Sequence, residues 1–160
     1  MMGAAPLAAG GVRFRVWAPR CERVELCLVS PDKRTVAMER GDDGVWEATV
    51  ADCEKGWRYA YRVDGAGPFP DPASRRQPLG VHGPSEVVDV GQFTWTDAGW
   101  TGLEPHGQVI YECHVGTATP DGTFDSLIDE LPRLVELGTT AIELLPVAAF
   151  PGTRNWGYDG

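Results

Sequence analysis

The chain has 160 residues, 42% apolar and 23% charged, the balance of a globular protein rather than a disordered tail. A formal net charge of −9 argues against nucleic acid and anionic membrane surfaces as partners and leaves a neutral ligand unpenalised. No run approaches the roughly 18 apolar residues that a membrane-spanning helix needs.

The length suits one domain, or one small domain plus part of another. Cys21, Cys27, Cys53 and Cys113 show no C-x-x-C spacing and no Cys–His spacing that suggests zinc. They are expected to be reduced, structural thiols in a cytoplasmic protein, and no spacing implies a metal or organic cofactor. The first ten residues lack the basic segment and long apolar core of a signal peptide. Having no periodicity, residues 1–10 are expected to be disordered.

From Gly11 the pattern is strict alternation. Val12, Phe14 and Val16 share one face of a predicted strand, with Arg13 and Arg15 opposite, until A-P stops it at Pro19. Val24, Leu26 and Leu28 repeat the pattern before the turn S-P-D; Thr35 to Met38 and Val45 to Val50 follow, with G-D-D-G between them. Trp57, Tyr59, Tyr61 and Val63 then share a face, with Arg58 and Arg62 opposite. Short alternating strands with regular turns predict an antiparallel β-sandwich over residues 11–104. The aromatic face reads as its core; the competing reading is a glycan-binding platform, which would be an exposed apolar liability unless occupied.

Residues 66–86 carry five prolines and no periodicity, so an ordered irregular connector is expected. Glu86 to Val90, with Val87 and Val88 at its centre, is predicted as the last sandwich strand, and the boundary is placed near 100–105. Val109 to Val115 is nearly continuous apolar sequence, as in a strand buried on both sides. Phe124, Leu127, Ile128, Leu131, Leu134 and Val135 recur at helical spacing, with Thr123 as N-cap and Gly138 past the C-terminus. Pro132 should kink or break that helix. Thr140 to Val147 is a second buried strand. Strand, helix, strand makes a βαβ unit, which needs further strands and helices to cover it. Residues 105–160 are therefore expected to be the truncated start of a (β/α)8 barrel.

The run G-T-R-N-W-G-Y-D-G (152–160) leaves the second of these strands at its C-terminal end, the edge where parallel sheets build sites. Trp156 and Tyr158 offer ring faces to a sugar and Asp159 an acceptor for its hydroxyls. These three are the candidate substrate-binding residues. Glu112 and Glu143, on adjacent strands, form a possible carboxylate pair, but are expected to be structural.

The runs V-I-Y-E-C-H-V-G-T-A-T-P-D-G-T-F (109–124) and A-I-E-L-L-P-V-A-A-F-P-G-T-R-N-W-G-Y-D-G (141–160) resemble the start of the catalytic barrel in the α-amylase superfamily. With the connector P-D-P-A-S-R-R-Q-P-L-G-V-H-G-P-S (70–85), the chain looks most like the maltooligosyltrehalose trehalohydrolases; V-R-F-R-V-W-A-P (12–19) is shared with branching and debranching relatives. It departs from the pattern at Cys113 and Ala118, where a larger apolar and an aromatic residue are expected. The resemblance implies an immunoglobulin-like sandwich related to carbohydrate-binding module 48, ahead of a barrel that cleaves the α-1,4 bond beside the terminal trehalose of maltooligosyltrehalose, with retention. It also implies that the catalytic carboxylates lie beyond residue 160, so no residue here is catalytic. Tyr158 matches the aromatic that stacks on the sugar beside the cleaved bond, and Asp159 the acid next to it. The alternatives are a branching or debranching enzyme, or a non-catalytic glycan-binding module.

Overall fold

Small residues open the chain, and they form a strand. In the computed structural model, which describes residues 1–156 and Tyr158, β1 (Gly3–Pro6) pairs antiparallel with β2 (Val12–Trp17), Ala4 opposite Phe14. The expected disorder of residues 1–10 is therefore corrected. Gly-Ala-Ala-Pro has side chains too small to write an alternating pattern, yet Ala4 is buried in the core. Residue 3 must be Gly: its φ is +85°, and a Cβ there would stand 2.9 Å from the Ala73 carbonyl oxygen.

The residues divide into two units, Met1–Thr94 and those from Trp95 onward, a boundary some way before the predicted 104/105. The first unit adds β3 (Val24–Ser30), β4 (Arg34–Ala37), β5 (Glu39–Arg40), β6 (Val45–Val50), β7 (Arg58–Val63), β8 (Ala66–Phe69) and β9 (Ser85–Glu86). One sheet has the order β1-β2-β6-β5; the other runs β4-β3-β7-β8, with β9 also on β7. All pairings in this unit are antiparallel.

Alternation does what the sequence predicts. Phe14 and Val12 from the first sheet and Leu26, Tyr59 and Tyr61 from the second enter one core, each at most 2% exposed. Phe14 meets Tyr59 edge-on across the sandwich, ring centroids 4.9 Å apart, and Tyr59 meets Tyr61 at 5.8 Å. With Tyr59 and Tyr61 interior, the aromatic face is core and not a platform. Trp57 packs at the margin of this core, under the Arg34 guanidinium at 5.8 Å.

The expectation of an irregular connector over residues 66–86 is corrected at its ends, where β8 and β9 pair with β7; between them it is irregular and tied down. Asp71, only 3% exposed, accepts the Tyr59 hydroxyl at 2.7 Å and the Ala73 N–H at 2.8 Å, while its own N–H donates to Ser85 Oγ at 3.0 Å. Arg75 Nη1 donates to the Ala4 carbonyl at 2.9 Å, joining connector to β1. Burial pushes the Asp71 carboxyl above its ordinary range, against the hydrogen bonds from Tyr59 and Ala73 that favour its charged form. The predicted strand from Glu86 to Val90 shrinks to β9, followed by a 3-10 turn at Val90–Gln92; Val87 still exchanges backbone bonds with Trp57 and Gly56 and is buried.

The second unit holds β10 (Ile110–Cys113), the short α1 (Val115–Ala118), α2 (Phe124–Glu136) and β11 (Ala141–Leu144), with β10 and β11 parallel neighbours. Thr123 caps α2 through a reciprocal box: its Oγ1 accepts the Ser126 N–H and Ser126 Oγ accepts the Thr123 N–H, both at 3.2 Å. At the other end Gly138, at φ +92°, lets the Thr139 N–H return to the Leu134 carbonyl at 3.0 Å. α2 runs through Pro132 rather than breaking there, because that residue is on the exposed side and water can satisfy the carbonyl that loses its partner. Ile110 and Tyr111 are 61% and 40% exposed, and Ile142 and Leu144 38% and 37%, in keeping with a βαβ unit that needs further strands and helices to cover it. A two-stranded sheet with one long helix cannot cover both of its faces.

Candidate functional site

Parallel pairing sets the site. Because β10 and β11 run side by side in register from Ile110↔Ala141 to Cys113↔Leu144, their following loops leave from the same edge. The ladder closes with the Leu145 N–H donating to the Cys113 carbonyl at 3.0 Å. Beyond that bond opens a cleft of about 670 Å³. One wall is the loop after β10, with His114, Gly116, Asp121 and Phe124; the other is the loop after β11, with Pro146, Phe150 and Asn155. Asn155 Nδ2 donates to the Pro146 carbonyl at 3.2 Å and folds this second loop back on itself.

Close backbone approach builds the first wall. A Cβ at Gly122, whose φ is +61°, would stand 2.9 Å from the Gly116 carbonyl oxygen. A Cβ at Gly116 would stand 3.0 Å from His114 Cε1. The Gly122 N–H donates to Thr119 Oγ1 at 3.1 Å, and that hydroxyl pairs with Ser126 Oγ at 2.6 Å, so the α2 cap also holds the loop. Phe124 and Pro146 give the cleft apolar surface, while Asp121, Arg154 and Asn155 supply polar groups. That mixture suits an uncharged polyol with apolar ring faces.

The residues singled out from sequence are only partly assembled here. The lining reaches Thr153, Arg154 and Asn155, just before Trp156 and Tyr158, which are 82% and 68% exposed. Asp159 lies outside the described residues. Glu112 and Glu143 stand opposite each other in the β10–β11 register, both exposed and neither on the cleft lining. His114 was missed by the sequence reading; the signal available was a polar residue interrupting V-I-Y-E-C-H-V at the end of a strand. Among the described residues no three His, Cys, Asp or Glu are grouped to hold a metal, and no helix is long and apolar enough to cross a membrane. All four cysteines are free thiols; burial pushes that of Cys53 up to about 11.

Comparison with known proteins gives the family. The model of carbohydrate-binding module 48, the isoamylase N-terminal domain, matches residues 1–80. The chain belongs to this family. As a module 48 protein it also has relatives along nearly its whole length. It is 46% identical to a malto-oligosyltrehalose trehalohydrolase of Arthrobacter ramosus over 92% of this chain and 26% of that protein. A 1,4-alpha-glucan branching enzyme of Xanthomonas axonopodis pv. citri is 36% identical over 92% of this chain and 23% of its own length. A crystal structure from Salmonella typhimurium, provisionally described as an alpha amylase, superposes with a TM-score of 0.89 at 45% identity, over 99% of this chain and 27% of that one. The chain thus spans about a quarter of the length of the curated relatives it matches.

Proposed function

We propose that this chain is part of a glycoside hydrolase that cleaves the α-1,4 bond beside the terminal trehalose of maltooligosyltrehalose. The observation that carries the reading is the cleft at the C-terminal edge of β10 and β11, in a chain whose trehalohydrolase relatives are 44–48% identical. The parallel strand, helix, strand order supports β10–α2–β11 as the opening unit of a (β/α)8 barrel, with the sandwich as its supporting domain. Retaining hydrolysis needs two carboxyl groups about 5–5.5 Å apart, one as nucleophile and one as acid/base. The described cleft lining contributes a single acid, Asp121. The catalytic pair is therefore assigned to sequence beyond residue 160.

The role of this chain is to hold the glucan. Trp156 and Tyr158 present ring faces for a glucose unit, Asp159 accepts its hydroxyl protons, and the loop from Thr153 to Asn155 joins them to the cleft wall. The ligand is neutral, which suits a chain of net charge −9. Four free thiols support a reducing, cytoplasmic location. A branching enzyme is the second reading, supported by similarity at 36% against 46%. The native, full-length polypeptide should be given maltooligosyltrehalose and, separately, amylose of equal length. Trehalose released from the first supports the hydrolase; new branch points in the second, without trehalose, would replace it with the branching reaction.

A further inference from the structure

The second sheet of the sandwich turns one face to the core and the other to solvent. With Leu26, Tyr59 and Tyr61 pointing inward, alternation puts Glu25 and Cys27 of β3 and Arg58, Ala60 and Arg62 of β7 on the outer face. Register sets Glu25 beside Arg62, Cys27 beside Ala60, and Arg58 beside Glu86 of β9. The outer face therefore has charge at both ends and small residues across its middle.

Each end is an arginine–glutamate–arginine triad. Glu25 Oε1 meets the Arg23 guanidinium at 2.6 Å and Oε2 that of Arg62 at 3.9 Å. Glu86 Oε1 meets Arg76 at 2.9 Å and Oε2 meets Arg58 at 3.5 Å. The two carboxylates lie beneath their partners, their side chains 13% and 10% exposed, while Arg23 and Arg76 reach outward at 71% and 64%. Four guanidiniums against two carboxylates leave one uncompensated positive charge per triad, in a chain of net charge −9. Asp64, at the Arg23 end, spends Oδ1 on the backbone N–H groups of Glu22 and Arg23.

Folding does not call for this excess. One arginine neutralises one glutamate, and ion pairs this exposed add little to stability. A neutral glucan gains nothing from it either, so the function proposed above makes no use of it. Arg58 and Arg62 are four residues apart along β7, about 13 Å. Between them Cys27 and Ala60 are buried, leaving a shallow trough edged on β4 by the exposed Thr35, which stands opposite Cys27.

We propose that this face is a docking surface for an extended acidic segment of a partner protein, with carboxylates four residues apart seated on the two triads. In an extended strand, side chains at i and i+4 share a face and repeat the same spacing of about 13 Å. A guanidinium that holds a glutamate on one edge has further N–H groups for a second carboxylate. Nucleic acid fits less well, because its closely spaced phosphates would lie over the neutral trough and the net charge of the chain opposes a polyanion.

The test passes the native, full-length polypeptide over a sensor surface carrying an otherwise uncharged Ser/Thr peptide with two glutamates four residues apart. Companion surfaces carry the glutamates two residues apart, or lysines in their place. Wild type should bind the wider spacing about tenfold more tightly than the narrower one, ignore lysine, and bind more weakly as salt rises. Arg23→Gln combined with Arg76→Gln leaves each glutamate one arginine, so thermal unfolding should be little changed while binding weakens about tenfold or more. Wild type that ignores the acidic peptide overturns the proposal, as does binding that is indifferent to glutamate spacing or unchanged in the double variant. Should the double variant fail to fold, the spacing and salt comparisons on wild type decide alone.

Discussion

Replacing Tyr59 by Phe isolates one buried hydrogen bond. The ring would keep its contacts with Phe14 at 4.9 Å and Tyr61 at 5.8 Å, and only the hydroxyl that donates 2.7 Å to Asp71 would go. A hydrogen bond to a charged group is worth about 1.5–3 kcal/mol, and a 3%-exposed carboxylate has little water to replace it. Protonation of Asp71, already favoured by burial, and the surviving bond from the Ala73 N–H limit the loss. The expected cost is about 2 kcal/mol. For a unit of this size each kcal/mol is about 4–8 °C, so the sandwich transition should fall by about 8–16 °C. Urea unfolding followed by near-ultraviolet circular dichroism reads this directly. In an Asp71→Asn background the partner is neutral, and the same substitution should cost only about 1 kcal/mol. A cost below about 0.5 kcal/mol, or equal costs in both backgrounds, would refute the assignment of this bond as a main tie of the connector.

Three further outcomes follow from the same geometry. Phe14→Ala, at a position fully enclosed between the two sheets, should destabilise the sandwich by about 3–5 kcal/mol in denaturant titration. Because the folded-state pKa of Asp71 is raised, the native chain holds that proton more tightly than the unfolded one, so its contribution is largest in acid and declines as pH rises through the raised value. The stability difference between wild type and Asp71→Asn, measured by urea unfolding from acid to neutral pH, should shift against wild type through that window and then level off. Gly122→Ala combines a left-handed φ with a 2.9 Å approach to backbone, and should cost about 1–3 kcal/mol and speed hydrogen exchange around Gly116.

Much of the sandwich is legible because its strands are long enough for side chains to alternate. Val12-Phe14-Val16 and Tyr59-Tyr61 announce their buried face, and the turns between strands carry Pro, Asp and Gly. β1 and β8 are hidden because Gly, Ala and Pro have no contrast to alternate, and β9 is shorter than the strand expected from Glu86. Thr123 and Gly138 mark both ends of α2 correctly, since caps are local chemistry. The exposure of Ile110 and Ile142 is not local: an apolar run reports what a strand would bury and not how many neighbours are beside it. The cleft was legible as an edge, from the order strand, helix, strand. That His114 lines it was not, because a cleft lining is a property of three-dimensional surroundings and has no sequence period.

The most direct measurement is a crystal structure of the native, full-length polypeptide soaked with maltooligosyltrehalose. The account predicts a glucose unit in the cleft beyond β10 and β11, with a ring face against Tyr158 or Trp156. Sugar bound only on the sandwich, with this cleft empty, would contradict it.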